Sequence, residues 1–156
     1  MSDEAKALES ALRLLARRDH SRSELRRKLI QRGFSPQVAE TAIASLLEKG
    51  YLNDRRYAER WASAALASGR CYGPRLRAEL RQRGIDQATA SAVITELTCG
   101  NDETQAVLLL VRRRFPEFDP LCADDRDRRR IYGFLQRRGF STGAIMAMFR
   151  GMPVEE

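Results

Sequence analysis

QRRGFS (136–141) repeats a pattern that the chain has already used twice, as IQRGFS (30–35) and RQRGID (81–86). A pattern returning at roughly 50 residues marks a copied structural unit, so the copies can be superposed and read together. Aligned on Gly33, Gly84 and Gly139, they place Leu29, Leu80 and Leu135 four residues earlier, and Leu25, Leu76 and Ile131 eight earlier. That spacing is two helical turns of one apolar face. The glycine falls where a helix ends in a left-handed residue. Phe34, Ile85 and Phe140 follow as apolar plugs, and Ser35, Asp86 and Ser141 can cap a second helix. Ile43, Ile94 and Phe149, ten residues beyond each glycine, belong on the inward face of that helix.

Each copy also has a helix in front. Leu8, Ala11, Leu12 and Leu15 form an amphipathic stripe, and Ser21 with Glu24 fits a capping box that opens the next helix. Asn53 caps a helix carrying Tyr57, Trp61 and Ala65. Asp102 leads into Thr104–Arg114, where VLLLV (107–111) could form a strand alone. Its acidic start and basic end favour a helix. The fold class is therefore all-α: nine helices in three tandem three-helix, helix–turn–helix-like repeats, with boundaries at 1–51, 52–100 and 101–156. The connections GYLND, TCGND and FPEFDPLCADD separate them, the last being the best candidate for an exposed loop or hinge.

Composition narrows the partner. The 156 residues carry a net charge of +7, and only three of the 28 basic residues are lysine, at 6, 28 and 49. Arginine in such excess suits planar recognition of phosphate or carboxylate. Three scattered cysteines (Cys71, Cys99, Cys122) without a CxxC read as free thiols of a reducing compartment. MSDEAKALES has no signal pattern, and no apolar run exceeds the six residues of Ala106 to Val111, against the ~20 of a membrane span. A cytoplasmic location without membrane contact is expected.

A helix–turn–helix joint raises sequence-specific DNA readout, but PQVAETAIASLLEK (36–49) has Glu40 and Glu48 against Lys49, and QATASAVITELT (87–98) has no basic residue. The joint is scaffold. Arg32, Arg83 and Arg138 precede each glycine and read as helix-end cations pairing with free carbonyls. The arginines that the copies do not share point to contact: Arg75, Arg77 and Arg81, then Arg112 and Arg113, then Arg126, Arg129, Arg130 and Arg137. Catalysis has no foothold. His20 stands alone, no phosphate loop appears, and neither a metal nor a cofactor site is expected.

In order along the chain, HSRSELRRKLIQRGF (20–34), GYLNDRRYAERW (50–61), GPRLRAELRQRGI (73–85) and RIYGFLQRRGFS (130–141) resemble the motifs of RecX regulatory proteins. The resemblance covers about residues 8–150. It implies a curved, elongated rod of three-helix repeats lying in the groove of the RecA–single-stranded-DNA filament. There it impedes extension and suppresses ATP hydrolysis, strand exchange and coprotease activity. It also implies scaffold roles for Gly33, Tyr51, Leu52, Asp54, Tyr57 and Leu80. The expected partners are the RecA filament and single-stranded DNA, touched directly or through it, with this chain as a monomer. The competing reading is a stand-alone nucleic-acid binder without sequence preference.

Overall fold

The computed structural model describes residues 1–151, so the last five residues assigned to the third repeat, 152–156, lie outside the described residues. Among the described residues there are nine helices and no strand: α1 (Asp3–Arg17), α2 (Arg22–Gln31), α3 (Pro36–Glu48), α4 (Asp54–Ser68), α5 (Gly73–Gln82), α6 (Gln87–Thr98), α7 (Glu103–Arg114), α8 (Asp125–Arg137) and α9 (Thr142–Phe149).

The three repeated joints share one hydrogen-bond pattern. Phe34, Ile85 and Phe140 donate their N–H to the carbonyls of Leu29, Leu80 and Leu135 at 3.2, 3.1 and 3.3 Å. Gly33, Gly84 and Gly139 donate to Ile30, Arg81 and Gln136 at 3.0, 2.9 and 3.0 Å. This pair of bonds closes a helix through a left-handed residue, and the three glycines have φ of 95°, 85° and 96°. Ser35 Oγ, Asp86 Oδ1 and Ser141 Oγ then accept from Val38, Thr89 and Ala144 N–H, capping α3, α6 and α9. Leu25, Leu29, Leu76, Leu80, Ile131 and Leu135 are all fully buried. Each contributes about 1.5–3 kcal/mol by leaving water.

The chain forms two compact units. The first comprises residues 1–61 and 79–93, the second residues 62–78 and those from Ile94 onward. In the first, α1 and α2 pack on α3 around Ala7, Ala11, Leu14, Leu25, Leu29 and Ile43. In the second, α7 and α8 pack on α9 around Val107, Leu110, Ile131, Leu135, Ile145 and Phe149.

Within each unit a preceding segment leans on a glycine joint. In the first, Ser21 Oγ donates to the Arg83 carbonyl, and a Cβ on Gly84 would overlap Ser23 Cβ. In the second, Tyr72 N–H donates to the Arg138 carbonyl at 2.7 Å, and a Cβ on Gly139 would overlap the Tyr72 carbonyl. Ser21 and Tyr72 hold the same place in their copies, so one position reaches the next joint's carbonyl twice, through a hydroxyl at Ser21 and through the backbone N–H at Tyr72. At Gly33 no described residue comes within 4 Å of such a Cβ.

Some sequence expectations shift. The buried face of α1 is Ala7, Ala11 and Leu14, while Leu12 is 39% exposed and Leu8 and Leu15 pack at the margin. Both stripes have helical period, and the centre of contact falls between them. Ser21 accepts from Glu24 N–H at 3.2 Å as a capping box requires, yet the Glu24 carboxylate turns to Arg18. Tyr51 is 58% exposed, although Leu52 and Tyr57 are buried. Asp54 reaches the α2 N-terminus, accepting from Arg22 N–H at 2.7 Å.

Gly33→Ala should cost about 1 kcal/mol through backbone strain alone. Gly84→Ala and Gly139→Ala carry that strain plus the overlap, and each should cost more, about 2–4 kcal/mol. Denaturant midpoints of the three variants check the order, and equal losses would refute the leaning contact.

Candidate functional site

All nine arginines singled out as contacts are exposed: Arg75, Arg77 and Arg81 on α5, Arg112 and Arg113 on α7, and Arg126, Arg129, Arg130 and Arg137 on α8. Their surroundings divide them. Arg77, Arg81, Arg112, Arg126 and Arg129 have no hydrogen-bond or ion-pair partner among the described residues. Arg130 lies 5.4 Å over the Phe115 ring. Arg137 Nη1 stands 3.1 Å from where a Cβ on Gly133 would be, so its side chain folds back along α8. Arg75 Cβ crowds Gly139, making its stem part of the joint.

Arg113 is engaged within the protein. Its Nη1 and Nη2 donate to the carbonyls of Ala67 and Ser68 at 3.4 and 2.8 Å. Arg138 Nη1 donates to the next carbonyl, Gly69, at 2.8 Å. The last carbonyls of a helix lack partners within it, and here two guanidiniums from elsewhere in the second unit supply them. Burial, with the charges of Arg114 and Arg113, holds the Arg138 guanidinium below its ordinary pKa. These bonds were not legible in the sequence, where Arg113 is one member of a basic run.

The three repeated arginines do not pair with the ends of their own helices. Arg32 Nη1 donates to Ser10 Oγ at 2.7 Å. Arg138 serves α4, with its guanidinium also 4.3 Å over the Phe134 ring. Arg83 lies 4.4 Å over Trp61. Long side chains reach neighbouring elements because the glycine closure has already satisfied the nearest carbonyls.

His20 is 3% exposed, with Nδ1 3.3 Å from Glu24 Oε2 but not aligned for a hydrogen bond. Burial, then the Arg18 charge, pushes its pKa down. Burial opposes ionisation of Glu24, but the hydrogen bond and charge of Arg18, helped by His20, outweigh it and hold the carboxyl below its ordinary value. Among the described residues no group of His, Cys, Asp and Glu could hold a metal ion, and no helix is long and apolar enough to cross a membrane.

Helices in sets of three, the second and third of each set meeting at one glycine closure, with exposed arginines that have no acid partner among the described residues, define a class of all-helical, tandem three-helix-domain proteins with a basic surface. Family models described as the first, second and third three-helix domains of RecX match residues 7–46, 53–94 and 101–148. The chain belongs to the RecX family. A relative from Trichlorobacter lovleyi named regulatory protein RecX is 44% identical over 140 residues, 90% of this chain and 91% of the relative. One of the same name from Syntrophotalea carbinolica is 40% identical over 149 residues, 96% and 97% of the two chains. The crystal structure of RecX from Lactobacillus salivarius has the same fold, with a TM-score of 0.77 at 20% identity and 96% of both chains covered.

Arg113→Ala should lower stability by about 1–2 kcal/mol, because it strips charged donors from helix-end carbonyls. Arg77→Ala should stay within about 0.5 kcal/mol of the parent. Urea midpoints separate the two, and equal effects would deny Arg113 its structural role.

The chain has a single histidine, which makes acid lability a clean test. His20 and Glu24 are both shifted down, so the unfolded state takes up their protons first. The stability tied to His20 is full above its ordinary value of 6.5 and is lost as pH falls below it. Glu24 adds its loss below 4.5. The denaturant midpoint should therefore drop from pH 7.5 to pH 5.5, and His20→Gln should flatten that drop. A parent midpoint unchanged over this interval would contradict the buried neutral imidazole.

Proposed function

We propose that this chain is a negative regulator of the RecA recombinase. It binds in the groove of the RecA–single-stranded-DNA filament and impedes extension, ATP hydrolysis, strand exchange and coprotease activity. The observation that carries this reading is the ordered match of three RecX domain models, together with relatives named regulatory protein RecX along nearly their whole length. Each repeat, with boundaries near 51 and 100, offers the filament its own weak contacts, and affinity accumulates along the chain. In this reading the protein acts in the cytoplasm as a monomer and performs no chemistry itself.

The exposed arginines that have no partner among the described residues supply the binding charge. Arg77 on α5 and Arg126 and Arg129 on α8 are the sharpest choices, since no described residue competes for them. A basic face of this kind answers acidic protein surface and DNA phosphate together.

Substoichiometric protein should lower the DNA-dependent ATPase of RecA. The double variant Arg126→Glu/Arg129→Glu should keep the parent's helicity and lose most of that inhibition at low salt. The loss should shrink at high salt, where screening has already weakened the parent. If phosphates are the partner, the log–log salt dependence should flatten by about 0.7 per lost contact. A chain that binds bare single-stranded DNA as tightly as filaments, and leaves the ATPase untouched, would establish the stand-alone nucleic-acid binder instead.

A further inference from the structure

The three arginines before the repeated glycines occupy one structural position, so differences among them isolate what the scaffold does not require. Arg32 and Arg138 each donate to a protein oxygen, Ser10 Oγ and the Gly69 carbonyl. Arg83 donates to none among the described residues. Its Nε is buried without a hydrogen-bond partner among them, and its guanidinium carbon lies 4.4 Å over the ring of Trp61, the only tryptophan of the chain. An unpaired buried donor costs stability, and the copies to either side show that this position can provide an acceptor.

The stack borders a hollow of about 310 Å³ inside the first unit, lined by Arg18, Asp19, Tyr57, Arg60, Trp61 and Arg83. That is the lower end of the ~300–1,000 Å³ usual for small-ligand sites. Two of its three cations are already neutralised. Arg60 Nη1 pairs with Asp19 Oδ2 at 2.8 Å, and Arg18 pairs with Glu24. The opening therefore offers a guanidinium set over an indole ring, with one charge that no described residue neutralises. An acidic peptide would use the charge and leave the ring system idle. A nucleotide uses both, its base against the stacked planes and its phosphate beside the guanidinium.

We propose that Arg83 and Trp61 form a stacking subsite for one base of single-stranded nucleic acid. The subsite is separate from the exposed arginines of α5, α7 and α8 and does not depend on recombinase regulation. Arg18 and Arg60, held by their acid partners, form its polar rim.

Because Trp61 is the sole tryptophan, its fluorescence reports the site directly. An oligodeoxythymidylate should quench it in a saturable manner. An abasic deoxyribose-phosphate oligomer of equal length and charge should bind about fivefold to a hundredfold more weakly at this site, the range that loss of one stacked base produces. Arg83→Gln should abolish the difference between the two oligomers while circular dichroism stays at the parent value. Equal quenching by both oligomers, quenching by polyglutamate at similar concentrations, or no fluorescence response to the thymidylate would each overturn the proposal. The oligomer comparison uses the unmodified chain, so it decides the matter even if the variant fails to fold. It contains no RecA, and its outcome is independent of the ATPase experiment.

Discussion

The structure depends on how closely a neighbouring segment can approach the backbone at a helix end. At Gly84 and Gly139 the residue must satisfy two demands together: a positive φ, and the absence of any side chain where another segment rests. Only glycine meets both. The close approach lets Ser21 Oγ reach the Arg83 carbonyl and Tyr72 N–H reach that of Arg138. Those carbonyls sit at the cap position, where the helix itself has no donor left to offer. One small residue thus closes a helix, turns the chain and exposes an acceptor to the preceding copy.

That constraint decides where arginine is free to act. Several arginines near the joints are drawn into scaffold work, because carbonyls and ring faces are within reach, although Arg81 is not. Arg138 and Arg113 cover the end of α4, Arg75 lies under Gly139, and Arg32 returns to α1. Farther along the helices the same side chain finds no acceptor among the described residues, as at Arg77, Arg126 and Arg129. A high arginine count therefore overstates the binding surface. The local competition for each guanidinium is the better guide to which positions remain available to an external anion.

The helix order, the three glycine closures, their caps and the buried leucines were legible because each rests on contacts within about ten residues. Period and capping chemistry encode such contacts directly. The stripe of α1 was only partly legible: Ala11 is buried and Leu8 and Leu15 pack at the margin, but Ala7 and Leu14 are buried where Leu12 is exposed. Only packing against α3 says which series faces in. Closures at Gly50 and Gly69 use the same bonds, Tyr51 N–H to Leu46 and Arg70 N–H to Ala65. They escaped notice because their plugs, Tyr51 and Arg70, are exposed and polar or half-polar. Arg113 and Arg83 were hidden for another reason: their partners are set by tertiary proximity, over separations as long as the 46 residues between Arg113 and Ala67. Glu24 meets Arg18 only six residues away, but across the turn between α1 and α2, where helical period says nothing.

Copied units make such tertiary choices visible. When one position recurs three times, whatever all copies share is explained by the joint, and whatever one copy alone does needs its own cause. Leu29, Leu80 and Leu135 are all fully buried and thereby account for nothing beyond folding. The arginine three residues later behaves differently in each copy, meeting a serine hydroxyl, a tryptophan face or a backbone carbonyl. Backbone geometry is held constant across the three, so the divergence reflects the side chains placed around it. A scaffold that fixes its leucines and glycines leaves this position, and the helix faces beyond it, as the places where the copies can acquire separate tasks.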